Sequence, residues 1–386
     1  MDVFQIDQMN GPPPPLNALI VEAQANFAVN LVREVSKGGR SFIVSPFSVA
    51  IALSMVYAGA REKTGKEIGK LLANGAPDSE VHKYFGDLLD AIKNDGRNDY
   101  ILEVANKVYM REGFKVMDAF KEQIAEYYGG QFEEADFSDS AGTAQKINQF
   151  VEEATHQKIR GPFSPNLLDQ FTSLVLVNAV YFKGNWAERF NAKYTKKKTF
   201  FVDQQNKKEL EMMHKTADFI YFEDGHLQLL GMPYKGGEVF MFVLLPKDRF
   251  GLAKLLANLD GKRLLELTKK RDKMKVQVVL PKFKLESTLQ LEQSLASMGM
   301  ANAFSDSADF DGIAEGDSLK ISDVVQKAFI EVNEEGTVAA AVTIIRPVQC
   351  SACSELAPPK FVANRPFAAF LVNYGQIMLF NSIFCG

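Results

Sequence analysis

Two long apolar segments limit the fold of this chain more than any other feature of its sequence. Residues 173–182 read SLVLVNAVYF and residues 238–246 read EVFMFVLLP, and neither alternates apolar with polar side chains. A third strand-like run, KVQVVLPKFKL, covers residues 275–285. A strand with one face in solvent alternates, whereas a strand covered on both faces does not. We therefore predict that the first two segments are strands buried on both faces.

Helical patterns occupy most of the chain before these strands. Apolar residues recur at helical spacing over residues 19–36, and Ser45-Pro46 predicts the start of a second helix, with Ser45 as N-cap and Pro46 in the first turn. The composition does not change abruptly along the chain. We predict one α+β domain over residues 19–386, preceded by an N-terminal extended arm, residues 1–18, that contains four consecutive prolines.

Composition and charge exclude several classes of partner. The chain of 386 residues is 46% hydrophobic and 24% charged, which is typical of a soluble globular protein. Its formal net charge of −4 gives no general electrostatic reason to bind nucleic acid or an anionic membrane. No apolar run reaches the roughly 18 residues of a transmembrane helix. We therefore expect neither partner. We also expect a cytoplasmic protein, because no secretory signal is present; unconventional secretion remains an alternative.

The residue types that carry most catalytic chemistry are scarce. The chain has four His and three Cys, without the clustered spacing of a zinc site, and it lacks the G-x-S-x-G motif of a hydrolase. Cys350 and Cys353 have the C-x-x-C spacing of a redox dithiol, but the helix start and βαβ pattern that normally accompany it are missing. We therefore predict no enzymatic activity, no metal and no cofactor. A disulfide between these two cysteines that blocks function is kept as an alternative.

Residues 331–343, EVNEEGTVAAAVT, are hard to explain as ordinary core. Three polar residues and Gly336 favour a flexible hinge, because glycine tolerates backbone angles that other residues resist. The residues that follow are small or β-branched, and none is charged. Such a segment suits either an exposed loop or a central strand of a sheet. Residues 346–360 then form a long non-regular stretch with three prolines, and a loop of that length inside a compact domain is usually functional.

Seven motifs in order resemble those of the serpin family of protease inhibitors, and they cover essentially the whole chain after the arm. The motifs are VSPFSVAIALSMVYAGAREKTGKEI (44–68), LVLVNAVYFKGNW (174–186), MPYKGGEVFMFVLLP (232–246), LPKFKLEST (280–288), MGMANAFSDSADFDGI (298–313), KAFIEVNEEGTVAAAVT (327–343) and NRPFAAFLV (364–372). The resemblance implies an α+β fold with three β-sheets (A, B and C), eight or nine helices and an exposed reactive-centre loop at about 334–360. It also implies that a target protease cuts this loop as a suicide substrate. The protease is then trapped as an acyl-enzyme when the cut loop inserts into the central sheet.

The resemblance also implies roles for individual residues. The hinge of the loop matches Glu334, Glu335, Gly336, Thr337, Val338, Ala339, Ala340, Ala341, Val342 and Thr343. The ion-paired region at the top of the sheet, the breach, matches Trp186, Lys282 and Glu334. The polar shutter, around which the strands part, matches Ser45, Ser48, Asn178 and Gln326. The family often has His at the last position, and Gln cannot become charged, so a pH-sensitive shutter is not expected.

The position of the reactive bond has more than one solution. Counting seventeen residues from Glu334, as in typical inhibitors of the family, places the bond between Cys350 and Ser351. Counting back from Phe361 makes the loop several residues too long. The alternative residues before the cut are Arg346, Cys353 and Leu356.

Pro347 raises a question about function. It follows Arg346, where it hinders cleavage, and it lacks the N–H that an inserted strand would use, which could slow or shorten insertion. A cut after Cys350 indicates a serine protease of chymotrypsin-like or elastase-like preference, or a lysosomal cysteine protease. The leading hypothesis is a monomeric intracellular suicide inhibitor. The alternative is a non-inhibitory relative that acts as a carrier, chaperone or storage protein.

Overall fold

A computed structural model gives the fold of this protein. It describes residues 18–93, 99–159, 163–315, 319–337, 357–373 and 377–386. Nine α-helices lie within these ranges: α1 Ala18–Ser36, α2 Pro46–Tyr57, α3 Glu62–Ala73, α4 Asp78–Lys93, α5 Asp118–Tyr128, α6 Ser140–Ala154, α7 Leu252–Ala257, α8 Gly261–Thr268 and α9 Glu292–Leu295. The start of α2 is as predicted, since the Ser45 hydroxyl accepts a hydrogen bond from the Ser48 N–H at 3.3 Å and Pro46 lies in the first turn.

Seventeen strands lie in the same ranges. They are β1 Phe42–Val44, β2 Tyr100–Arg111, β3 Lys115–Val116, β4 Phe132–Ala135, β5 Leu174–Asn185, β6 Lys196–Phe201, β7 Lys207–Glu223, β8 Leu227–Pro233, β9 Val239–Pro246, β10 Lys273–Pro281, β11 Phe283–Gln290, β12 Ala314–Glu315, β13 Ile321–Val332, β14 Gly336–Thr337, β15 Lys360–Val362, β16 Phe367–Asn373 and β17 Met378–Phe384. Both predicted buried strands are present, as β5 and β9.

The strands form three sheets. The central sheet has six strands in the order β11-β13-β5-β2-β4, with β14 also paired to β5. The largest sheet has nine strands in the order β1-β17-β16-β9-β8-β7-β10-β15, with β6 paired to β7, and β12 and β3 form a two-stranded sheet. The prediction of an α+β fold with three sheets and eight or nine helices is confirmed.

The predicted strand over residues 275–285 is divided between two sheets. β10 ends at Pro281 in the nine-stranded sheet, and β11 begins at Phe283 in the central sheet. Proline has no N–H to donate to a ladder, which favours a strand end at this point. Lys282 therefore lies at the junction of the two larger sheets.

Hydrophobic cores cover both faces of β5. Its side chains alternate between the faces, because successive residues of a strand point in opposite directions. One set joins the main core with α2: Leu174, Leu176, Val180 and Phe182. The other set packs in a smaller core against α6: Val175, Val177, Ala179 and Tyr181. This two-sided burial explains the missing alternation in the sequence.

β5 and β13 are parallel neighbours in the middle of the central sheet, and their pairing is called the seam below. The seam joins residues 174–181 of β5 to residues 321–329 of β13. Further along, residues 184–185 of β5 pair antiparallel with β14 instead. The C-terminal ends of β5 and β13 define the top of the central sheet, where the seam gives way to β14. Parallel pairing is slightly less stable per residue than antiparallel pairing, so the seam is the weaker kind of contact.

The main hydrophobic core connects distant parts of the chain. Its buried members run from Ile20 in α1 to Phe384 in β17 and come from both larger sheets. This continuity favours the single domain predicted over residues 19–386, whose limits stay a prediction, as does the arm over residues 1–18. Within the described ranges, no helix combines the length and the apolar character that crossing a membrane requires.

Candidate functional site

The three residues of the predicted breach meet at the top of the central sheet. The Lys282 ammonium lies 3.2 Å from a carboxylate oxygen of Glu334, and the Thr195 hydroxyl donates to the other oxygen at 2.7 Å. The indole N–H of Trp186 donates to the Asn333 carbonyl at 3.0 Å. Burial raises the pKa of Glu334, but the Thr195 hydroxyl and Lys282 outweigh it and hold the pKa below its ordinary value. Glu334 therefore stays ionised while it is fixed between two sheets.

Backbone hydrogen bonds tie the chain after β13 to the end of β5. The Trp186 N–H donates to the Glu335 carbonyl at 2.8 Å, and the Phe190 N–H donates to the Glu334 carbonyl at 2.8 Å. The Trp186 ring is 3% exposed and stacks on Tyr234 with ring centroids 4.3 Å apart. This buried aromatic pair thus lies beside the segment after β13, where the predicted loop begins.

β14 places the first residues of the predicted loop beside β5. Gly336 lies opposite Asn185, and Thr337 lies opposite Gly184. Gly336 has a φ of +140°, and a Cβ added there would lie 2.2 Å from the Gly184 carbonyl oxygen. Only glycine fits both the backbone angle and the close approach. The remaining predicted hinge residues, 338–343, lie outside the described residues.

A row of buried amides crosses the seam lower in the central sheet. Asn106 in β2 lies opposite Asn178 in β5, and Asn178 lies opposite Gln326 in β13. The Asn178 amide donates to the Asn106 side-chain oxygen, and the Gln326 amide donates to the Asn178 side-chain oxygen. All three are at least 90% buried, at 7%, 1% and 0% exposure respectively. These hydrogen bonds are therefore shielded from solvent, where a donor or acceptor without a partner would destabilise the fold.

The N-terminus of α2 connects to this row from one face. Gln326 makes a reciprocal pair with the Ser45 backbone, accepting from its N–H at 2.7 Å and donating to its carbonyl at 3.0 Å. Asn178 also donates to the Ser48 hydroxyl. The four predicted shutter residues are thus one network, and a strand entering the seam would have to separate Gln326 from Asn178.

Asn106 belongs to the same network and was not identified from the sequence. The available signal was a lone amide within the run YILEVANKVYM at residues 100–110. A single Asn in such a run does not reveal its partner, because register with β5 decides what it faces. The predicted reactive-bond residues lie outside the described residues, so these predictions stay open: Cys350, Ser351, Arg346, Cys353 and Leu356.

The fold that carries this central sheet is similar to that of a solved serpin structure, and the chain belongs to the serpin family. The family model described as "Serpin (serine protease inhibitor)" matches residues 22–385. By this description, the family is one of protease inhibitors and not of catalysts.

Individual relatives agree with this assignment. The chain is 36% identical to Serpin B8 from Homo sapiens over 375 residues, which cover 95% of this chain and 98% of that protein. It is 35% identical to the leukocyte elastase inhibitor from Xenopus tropicalis over 359 residues, covering 90% and 94% of the two chains. Among solved structures, Serpin48 from the insect Tenebrio molitor matches with a TM-score of 0.84 at 32% identity, covering 96% of this chain and 99% of that one.

Proposed function

We propose that this chain is a suicide-substrate inhibitor of proteases that acts by inserting its cut loop into the seam. The observation that carries the proposal is the pairing of Gly336 and Thr337 with β5 directly above the closed seam. A strand that continued in this direction would run antiparallel to both β5 and β13. One parallel pairing would then be replaced by two antiparallel pairings, which favours insertion.

The two ends of the loop are attached to different sheets. Residue 337 ends β14 in the central sheet, whereas Lys360 begins β15, which pairs with β10 in the nine-stranded sheet. Attack by the nucleophile of a protease would form an ester or thioester at the residue before the cut and release the amino group of the next residue. The C-terminal piece would stay held by β15, and the hinge side would be able to insert with the protease attached. The protease supplies the nucleophile and base, so the inhibitor needs no catalytic group of its own.

The proposal also specifies the class of target protease and the compartment in which the inhibitor acts. With Cys350 before the cut and Ser351 after it, the partner would be a serine protease of chymotrypsin-like or elastase-like preference, or a cysteine protease. The similarity to an elastase inhibitor supports this preference. We propose a monomer that acts in the cytoplasm without nucleic acid, membrane, metal or cofactor. The hinge, breach and shutter residues are proposed to act as their family counterparts do.

The experiment is incubation with a panel of serine and cysteine proteases, followed by denaturing electrophoresis. At least one protease should give an SDS-stable complex with the wild-type chain. Ala341→Arg should be cut without complex, because a strand that continues β14 in register would place this charge opposite Val180, on the buried main-core face of the seam, where burial is unfavourable. Thr216→Arg, at an exposed position of β7, is the matched control and should trap normally. Cleavage of the wild type without any complex would contradict inhibition and favour a carrier, chaperone or storage role.

A further inference from the structure

Two arginines lie close together where the connection between β15 and β16 meets the end of β9. The guanidinium of Arg249 lies over the Phe201 ring, 4.3 Å from its centroid. The Phe201 N–H donates to the carbonyl of Asn364 at 2.8 Å, and Asn364 directly precedes Arg365. The Arg365 side chain in turn donates to the carbonyl of Pro246, three residues before Arg249. A short chain of contacts therefore holds the two arginines beside each other.

The Arg365 side chain is half-buried and held by oxygen atoms on one side. Its Nε donates to the Pro246 carbonyl at 3.0 Å, and its Nη1 donates to the Val362 carbonyl at 3.4 Å and to the Asn364 side-chain oxygen at 3.5 Å. The other terminal nitrogen, Nη2, makes no hydrogen bond to a residue that the structure describes. Because the guanidinium is planar, these contacts also fix the direction of the unused donors.

No carboxylate within the described ranges neutralises the two arginines, since neither forms an ion pair there. Asp203 lies in the turn after β6, but its carboxylate accepts hydrogen bonds from the N–H groups of Gln205 and Asn206, both at 2.8 Å. Burial lowers the pKa of Arg365, and the charge of Arg249 lowers it further. The fold thus brings two positive charges together without a negative charge between them.

A third cation belongs to the same surface. Lys207 in β7 lies directly opposite Phe201 in β6, and opposite residues of neighbouring strands share a face. Lys207 and Arg249 are both exposed, so an ion from solvent can reach this face. The surface formed by Phe201, Lys207, Arg249 and Arg365 is called the arginine patch below. It belongs to the nine-stranded sheet and the connections at its end, whereas the seam lies in the central sheet.

We propose that the arginine patch binds a phosphate group, with Arg249 and Arg365 donating to its oxygens. Planar guanidiniums match phosphate oxygens with charge-assisted hydrogen bonds, and arginine is over-represented where phosphate is recognised. A dianion would also offset the repulsion between the two arginines more fully than a carboxylate with a single charge would. The donors of Arg365 are already fixed, so little side-chain freedom is lost on binding. This site does not depend on the proposed inhibitory function.

Titration calorimetry of the uncut, full-length protein with inorganic phosphate tests the patch at pH 8 and constant ionic strength. We expect one site with a Kd of about 1 mM, as suits two charge-assisted contacts at an open surface. Acetate should bind far more weakly, because it carries a single charge. Glycerol phosphate is the second probe. Equal binding would mean that the patch takes a phosphate carried on a larger molecule, and weaker binding would mean that it takes the free ion; both results support phosphate recognition.

Two variants test which residues bind the ion. Arg249→Gln and Arg365→Gln should each raise the Kd by about tenfold or more, since each removes a charge-assisted contact. Arg249→Gln changes an exposed side chain, so it keeps the test valid if loss of the Arg365 carbonyl contacts impairs folding. Arg111→Gln is the matched control, because Arg111 also lies over a phenylalanine ring, 5.1 Å from the Phe114 centroid, and also donates to a backbone carbonyl. Its Kd should equal that of the wild type.

Three results would overturn the inference. One is the absence of binding heat with phosphate up to about 20 mM, well above the expected Kd. Another is acetate binding as tightly as phosphate, which would mean that the patch does not distinguish a phosphate group from other anions. The last is a Kd for phosphate that is the same in the wild type, Arg249→Gln and Arg365→Gln, which would place the ion elsewhere on the protein. None of them bears on protease trapping, which is measured separately by the SDS-stable complex.

Discussion

Replacing Gly336 with alanine adds a single methyl group. We expect this change to impair loop insertion and to leave the rest of the fold intact. The Gly336 φ of +140° is strained for any residue with a Cβ, and such strain is about 1–3 kcal/mol. The added Cβ would also meet the Gly184 carbonyl oxygen at 2.2 Å and the Asn185 Cα at 2.6 Å. Overpacking of this kind adds roughly 1–3 kcal/mol. We therefore expect Gly336→Ala to weaken the β14–β5 pairing by at least about 2 kcal/mol, or roughly 30-fold in its equilibrium.

The assay is the number of inhibitor molecules consumed for each protease molecule trapped. If insertion begins at β14, Gly336→Ala should be cut at the normal rate but should mostly be released as cleaved product. Gly39→Ala is the matched control, since Gly39 also has a positive φ, +65°, but its added Cβ meets nothing within 4 Å. The control should lose a little stability and trap as the wild type does. Equal trapping by Gly336→Ala and the wild type would refute the view that β14 is the start of insertion.

Three further predictions test the described residues individually. The free energy of unfolding should fall by about 3 kcal/mol between pH 6.5 and 4, because burial lowers the pKa of His82 from 6.5 to about 4 and only the unfolded chain binds the proton in this range. His82→Gln should remove this part of the pH dependence of urea unfolding, and an unchanged pH profile in the variant would contradict the prediction. Gln326→Ala should lower the free energy of unfolding by about 2 kcal/mol, because Asn178 and the Ser45 backbone lose a buried partner. An unchanged urea midpoint would show that this row of buried amides does not stabilise the pairing of β5 with β13. Trp186 is the single tryptophan, so its emission should shift when a protease is trapped and the top of the sheet rearranges; an identical spectrum in the complex would contradict this.

Local sequence patterns predicted most of the secondary structure but not the assignment of strands to sheets. The cap at Ser45 and the buried strands β5 and β9 depend on neighbouring residues only, and the structure agrees with them. The run at 275–285 was predicted as a strand, but its division at Lys282 between two sheets was not. That division depends on which distant strands lie beside each half. It also brings Lys282 to Glu334, which is 3.2 Å away in the structure.

The seven ordered motifs in the sequence were enough to determine the family. The composition of residues 331–343 was enough to predict the hinge, because small uncharged side chains after a glycine are a property of that segment alone. The tertiary structure alone decided which residues that are distant in the sequence lie side by side in the central sheet. Asn106 and Asn178 are 72 residues apart, and Asn178 and Gln326 are 148 apart, yet they form one hydrogen-bonded row. The physical reason is that strand register, which is set by long-range packing, determines which side chains share a row and a face.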